Sequence, residues 1–295
     1  MFDFRYHVAS LAAVFLALII GIVVGVGISG KGFVSDSERQ LLNERIDDLN
    51  RRLESANRRG NELARAQRAA QTFVADAYPA LMDGRMVGRR VAIVFAGPVD
   101  GRVRSLVEQA LRDGGGNAPT RTTALRLPID LPGLRRALVK RPALAALATR
   151  RRVGDLGRRL GEGFVAGGES AIWQLLSAEL VEERSGNDKP SVDGVVVVRT
   201  VAPQTGPSAR FLAGFYAGLA SAGVPAVGVE RTNASVSAVT AFAKQDLSTV
   251  DDVDTEAGRL ALVLLLGGAS PGRYGVKETA KNGVLPEILP VALGG

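Results

Sequence analysis

A chain of 295 residues with 46% hydrophobic and 23% charged side chains can build one or two domains on real cores, which excludes wholesale disorder. It has no cysteine and a single histidine, His7, which removes disulfide frameworks, zinc-thiolate sites, thiol nucleophiles, Ser-His-Asp triads and HExxH metal sites. The net charge of +7 is uneven: residues 1–32 carry +1, 33–78 carry 0, 79–160 carry +11 and 161–295 carry −5. The basic block ends in Arg150-Arg151-Arg152 and Arg158-Arg159. It either offers a cationic face to an anionic partner or packs beside the acidic segment of its own chain.

The first expected element is a membrane anchor over 1–31. Val8 to Ile28 are uncharged, and as a helix they cover ~32 Å, close to the thickness of a bilayer's hydrocarbon core. That run is longer than the ~7–15 residues of a signal-peptide core, so a retained anchor is favoured. Ala9, Ala13, Ala17, Gly21, Gly25 and Ser29 recur every four residues, and Gly21 and Gly25 mark where two such helices would approach. The flanking Asp3, Arg5 and Lys31 lean towards a cytoplasmic N-terminus with the rest of the chain across the membrane. Gly25 to Lys31 have the spacing of a phosphate-binding loop, but Gly32 replaces the needed Ser or Thr and no strand precedes it. No nucleotide site is expected there.

Residues 32–79 predict a coiled-coil stalk. Leu42, Ile46, Leu49, Leu53 and Leu63 fall on a 3-4 spacing, with β-branched Ile at a and Leu at d, the pattern of a parallel dimer. The seam thins at Ala56, Gly60 and Gln67, which suits bending or a further helix. The alternative is one amphipathic helix folded back on the next domain. Tyr78-Pro79 is expected to end the segment.

Residues 80–295 predict a degenerate Rossmann-like α/β domain. Strands are expected at Val91–Phe95, Val195–Thr200 and Ala226–Glu230, with Ser248–Val250 as an edge, because continuous Val runs suit strands covered on both faces. Helices are expected at Val103–Arg112, Ser170–Glu183, Ser208–Ala220, Val236–Ala243 and Thr255–Leu266. The stretch 121–168, with three prolines and poor periodicity, reads as an insertion or small subdomain. The first strand-to-helix turn, Ala96-Gly97-Pro98-Val99-Asp100-Gly101, lacks G-x-G-x-x-G, so no dinucleotide and no catalytic residue is expected.

Two groupings could carry metal chemistry. Met82 and Met86 supply thioethers of the kind that bind Cu(I), although Asp83-Gly84 between them is poor helix sequence and two ligands are few. Core or linker methionines are the alternative. Asp251, Asp252, Asp254 and Glu256 could hold a hard cation, but they match no calcium loop and are expected as capping partners of the following helix.

The opening Phe2-Asp3-Phe4-Arg5-Tyr6-His7-Val8-Ala9-Ser10-Leu11, the run Ser248-Thr249-Val250-Asp251-Asp252-Val253-Asp254-Thr255-Glu256-Ala257-Gly258-Arg259 and the later Tyr274-Gly275-Val276-Lys277 closely resemble the actinobacterial MctB family of copper transport proteins. The resemblance extends over essentially the whole chain. It implies a cell-envelope protein of copper homeostasis, described in the family as an outer-membrane channel, with copper as cargo and no resident cofactor. Similar proteins are also linked to cell separation, as coiled-coil partners of a peptidoglycan hydrolase. No copper-site residue carries over onto this sequence. The expected partners are a second copy through the coil and the membrane helix, another envelope protein and the lipid bilayer, with no nucleic acid.

Overall fold

The computed structural model describes residues 4–29, 36–167 and 170–288, so Asp3, Lys31 and Gly32 lie outside the described residues. Contacts divide the chain into two compact units, Met1–Ala70 and Gln71–Gly295. The first unit holds α1 (Phe4–Ser29) and most of α2 (Asp36–Met82). Within α1, Tyr6–Gly27 is 22 residues long, with mean hydropathy 2.8 and none of it buried. That helix is long and apolar enough to cross a membrane. α2 continues through Pro79 rather than ending there. Proline forfeits one backbone bond, but Tyr78 and Met82 on this last turn are buried in the hydrophobic core, and that burial holds the turn together.

The second unit continues with β1 (Val91–Ala96), α3 (Gly101–Asp113), β2 (Arg121–Leu125), α4 (Leu131–Ala137), α5 (Pro142–Ala145), α6 (Val153–Ala166) and α7 (Ala171–Leu180). It then forms β3 (Val181–Gly186), β4 (Gly194–Arg199), α8 (Gly206–Ala220), β5 (Ala226–Val229), α9 (Val239–Ala243), β6 (Ser248–Val250), α10 (Glu256–Leu266) and β7 (Arg273–Tyr274). The strands make one sheet in the order β3-β2-β1-β4-β5-β6-β7, and every pairing is parallel except β2 with β3. The order reverses between β1 and β4.

Strand periodicity assigns the two faces. Ala92, Val94, Val195 and Val197 point into a core shared with α4, α6, α7 and α8. Val91, Ile93, Phe95, Val196 and Val198 point into the other, under α3, α10 and the end of α2. The expected strands sit where the Val runs are. Ser248–Val250, however, is not the edge, because the two-residue β7 pairs outside it. The helix expected over Ser170–Glu183 stops at Leu180 and the chain turns into β3, whose residues beyond Val181 are exposed.

The stretch 121–168 is not an addition to the domain. It supplies β2, a strand paired on both sides, and α6, whose contact with α8 is the most extensive of any pair of elements. Glycines make that contact possible. A Cβ at Gly157 would collide with the Phe211 carbonyl, one at Gly161 with the Phe215 carbonyl, and those at Gly214 and Gly218 with the backbones of Gly154 and Arg158. The two helices therefore meet backbone to backbone.

The basic block faces solvent. Arg135, Arg136, Lys140, Arg141, Arg150, Arg151, Arg152, Arg158 and Arg159 are exposed. Among the described residues only Arg90–Asp193 ties the block to the acidic segment by a salt bridge, at 3.3 Å. The two segments do pack beside each other, through β1 on β4 and α6 on α8, but these nine cationic side chains lie outside that packing.

The helix pair gives the first prediction. Gly157→Ala is expected to cost about 1–3 kcal/mol through overpacking. The check is the urea midpoint followed by fluorescence of Trp173, the protein's single tryptophan, which packs against this region and donates to the Leu160 carbonyl at 3.0 Å. Gly101→Ala, where a Cβ meets nothing within 4 Å, is the control and should leave the midpoint unmoved.

Candidate functional site

Parallel sheets of this order offer ligands the crevice at the strand C-termini where the order reverses. Here the chain fills that crevice itself. Gly97, following β1 with φ +113°, leaves room for no side chain, since a Cβ would lie 2.5 Å from Val201 Cγ1 and 2.7 Å from Thr200 Oγ1. Thr200 Oγ1 donates to the Pro98 carbonyl at 2.7 Å. At the N-terminus of α3, where a dinucleotide phosphate would ordinarily bind, the Asp100 carboxylate accepts from Arg102 N at 2.9 Å and Val103 N at 3.1 Å. The anion site is already occupied by a side chain of this protein.

A polar network is built instead beyond β5 and β6, and it joins the two C-terminal stretches singled out in the sequence. Asp251 Oδ1 accepts from Val276 N at 2.9 Å and Lys277 N at 3.3 Å, and its Oδ2 accepts from Thr279 Oγ1 at 3.2 Å. Lys277 Nζ pairs with Glu230 Oε1 at 2.6 Å and donates to the Arg231 carbonyl at 2.8 Å, while Glu230 Oε2 accepts from Ala238 N at 2.7 Å. Gly275, with φ +134°, passes so close to Asp251 that a Cβ would overlap its Oδ1. A left-handed glycine is the residue such an approach admits.

Asp254 accepts from Thr232 N at 2.7 Å and from its hydroxyl at 3.0 Å, and Thr255 caps α10 by accepting from Gly258 N at 2.9 Å. The four acids of the cluster are thus distributed over separate partners. Among the described residues no group of three or more His, Cys, Asp or Glu could hold a metal ion.

Asp252 is the exception within this otherwise satisfied network. It is fully buried, its Oδ2 accepts from Thr255 Oγ1 at 3.0 Å, and its Oδ1 has no hydrogen-bond partner. Burial first, then the neighbouring Asp251 and Asp254 charges, push its pKa up to about 6. An unpartnered carboxylate oxygen away from water favours the protonated form.

On the other side of α10, Arg259 reaches Glu256 at 3.2 Å and stacks over the Tyr78 ring with its guanidinium carbon 5.5 Å from the centroid. The Tyr78 hydroxyl donates to Asp113 Oδ2 at 2.9 Å, and burial raises its pKa to about 12. The end of α2 is therefore fastened to α3 and α10 by a hydroxyl, a carboxylate and a guanidinium as well as by apolar packing.

Met82 and Met86 do not share a helix face. Met82 ends α2, Gly84 turns with φ +71°, and Met86 N donates to the Gly114 carbonyl at 2.8 Å. Both side chains are buried among apolar residues of the α3 and α10 core, where no water reaches the sulfurs. Leu42, Ile46, Leu49, Leu53 and Leu63 are 51–70% exposed along α2. Gly21 and Gly25 have open space around them. The residues that sequence reasoning missed are Glu230 and Lys277. Only their nearness to the signature stretches hinted at them, since one lies directly after a strand and the other closes the Tyr274–Lys277 run.

A membrane-length apolar helix followed by an α/β domain, closed by its own side chains and fastened by the Asp251–Lys277 network, defines the class. The chain belongs to the family described as copper transport outer membrane protein, MctB, whose model matches residues 1–285. Relatives named copper transporter MctB, from Mycobacterium tuberculosis and Mycobacterium bovis, are 28% identical over 96% of this chain and 98% of their own length. The relative of that name from Mycobacterium leprae is 27% identical over 97% of this chain and all of its own.

Two predictions follow from the network's electrostatics. A carboxyl whose pKa is higher in the folded than in the unfolded chain binds its proton more tightly when folded. Its stabilising effect is therefore full below the ordinary aspartate value of 3.8 and is lost as pH rises towards about 6. Asp252→Asn should flatten the fall in unfolding free energy over that window and match or exceed the wild type at pH 7.5, measured by urea unfolding at a series of pH values. Lys277→Met leaves the buried Glu230 carboxylate without its cation and is expected to cost on the order of 3 kcal/mol. The double variant with Glu230→Gln should recover most of that loss in the same assay.

Proposed function

We propose that this chain is a non-enzymatic, single-pass envelope protein of copper homeostasis that works as a paired scaffold. In this reading α1 is retained as the anchor, with the N-terminus in the cytoplasm. Residues 32–79 form a parallel coiled coil with a second copy, and residues 80–295 stand outside the membrane. Membership of a family described by copper transport supports the physiological role.

The observation that carries the scaffold is the line of exposed apolar side chains on α2, Leu42, Ile46, Leu49, Leu53 and Leu63. Such a row at 3-4 spacing is costly to leave in water and is covered by a like helix. The strands of the α/β domain argue against a pore within one chain. Strands of two to six residues in an open sheet covered by helices are far from the ~9–11-residue tilted strands of a transmembrane barrel. Copper handling accordingly falls to the assembly and its partners.

A second reading is favoured by the thin stretch of the seam at Ala56, Gly60 and Gln67. There a third helix from an envelope partner, such as a peptidoglycan hydrolase acting in cell separation, would find room against the pair.

The test joins a biochemical and a physiological measurement. Light scattering of the detergent-solubilised full chain should give a dimer. Leu49→Asp with Leu53→Asp should raise its dissociation constant at least a hundredfold, the loss of two buried leucines being about 3 kcal/mol or more, while the unfolding midpoint of the α/β domain stays put. Deleting the gene should cause copper accumulation and sensitivity that the wild-type gene rescues and this variant does not. Chained, unseparated cells with normal copper content would replace the first reading by the second.

A further inference from the structure

The stretch from Leu131 to Arg159 holds nine cations and a single acid, Asp155, and all nine cationic residues are exposed. Arg152 pairs with Asp155 at 3.2 Å, and Arg136 reaches Asp130, just before the stretch, at 3.6 Å. Among the described residues the other seven have no acidic partner. Only Arg135 and Arg152 use their side chains in a hydrogen bond, to the Ala148 carbonyl at 3.3 Å and to Asp155. The fold therefore does not need most of these charges. Gathered cations repel one another, and a field of one sign on a protein surface serves to attract the opposite one.

The chain path holds the charges together. Along α4 and the turn after it, Leu134 and Leu138 enter the core while Arg135, Arg136, Val139 and Lys140 stay outside. Buried Leu147 and Ala148 then bring the chain back, so that Arg135, Arg136, Val139 and Arg150 line one open groove of about 730 Å3. Arg210 of α8 is exposed beside them and donates to the Arg150 carbonyl at 2.7 Å. Val139 is 69% exposed, an aliphatic side chain set among cations. A phospholipid surface suits that mixture, since headgroup phosphates meet the charges and the acyl boundary receives the apolar group.

We infer that residues 131–159 form a docking face for an anionic phospholipid surface. The same chain carries α1, an apolar helix long enough to cross a membrane, which makes a bilayer the polyanion at hand. The choice of a bilayer rests on the proposed retention of α1 as an anchor, whereas the cationic face itself does not. Each basic residue held near an anionic membrane strengthens binding roughly fivefold.

The test starts with the full chain reconstituted into nanodiscs of phosphatidylcholine, a step that reports on the anchor by itself. Co-sedimentation is then measured with added vesicles of phosphatidylcholine, alone or with one third phosphatidylglycerol. Binding to the anionic vesicles only is expected, with release at high salt. Lys140→Gln combined with Arg141→Gln and Arg151→Gln should weaken it about a hundredfold, at roughly fivefold for each charge. Val139→Ser should weaken it about fivefold through lost apolar burial. The urea midpoint of the α/β domain should stay put in both variants, because none of these side chains bonds within the fold. Absence of binding to the anionic vesicles overturns the proposal, as does binding that phosphatidylcholine matches or that the triple variant leaves unchanged. Polyglutamate bound as tightly as the anionic vesicles, with Val139→Ser altering neither, would assign the face to an acidic polymer and overturn the lipid. A chain that does not enter nanodiscs overturns the anchor instead, and the same vesicle measurement on the detergent-solubilised chain then decides the face.

Discussion

The backbone-to-backbone contact of α6 with α8 sets the geometry of one whole layer of the domain. With Gly157 and Gly161 facing Gly214 and Gly218, the helix axes approach more closely than side chains would allow, and the aromatic residues are displaced to the flanks of the contact. There Phe164, Trp173, Phe211, Phe215, Tyr216 and Phe242 form a continuous chain of ring contacts with centroids 5.1–6.4 Å apart. Edge-to-face packing of this kind adds direction to burial. The position of Trp173 is a consequence of it.

The opposite layer is held by a different chemistry. Under α3 and α10 the apolar core is continuous with Tyr78 and Met82 at the end of α2, and polar bonds appear only at its margins. The Asp251–Lys277 and Glu230–Lys277 contacts fasten the last segments of the chain to the sheet's C-terminal edge, and Tyr78 with Arg259 and Asp113 fastens the helix that enters it. A buried polar group is stable only when its partners are complete. The positions in these margins are accordingly tightly constrained, as the overlap between Gly275 and Asp251 illustrates.

Much of this was legible in the sequence where a residue's own physics decided the outcome. Continuous Val runs marked β1, β4 and β5, the apolar stretch marked α1, and Thr255 marked the start of α10. What was not legible depended on distant partners. Helix α6 was missed because Gly154, Gly157, Gly161 and Gly163 lower helix propensity. The purpose of Gly154, Gly157 and Gly161 is visible only against α8, whose Gly214 and Gly218 lie 57–60 residues after them, although the matching four-residue spacings were a usable clue. β2 was missed because Arg121, Thr122 and Thr123 look like surface residues, yet Arg121 is buried, donating to the Pro190 and Phe164 carbonyls over the Phe164 ring. Pro79 was read as a stop because the tertiary burial of Tyr78 and Met82 cannot be seen locally. At the site, the acidic run was read as capping α10, but the cap is Thr255 and only Glu256 lies in the helix's first turn, while Asp254 bonds Thr232 and the pairing of Asp251 with the Tyr274–Lys277 turn spans 25 residues and follows from the fold alone.

The two ends of the sheet bear on how copies of this protein can meet. One end is β3, antiparallel and exposed, with Glu182, Glu183 and Arg184 along it, and the other is β7, two residues long. Charged or truncated borders deny a neighbouring molecule the row of free amides and carbonyls that fibril growth requires. Copies of this domain that come together are thereby spared open-ended polymerisation through the sheet.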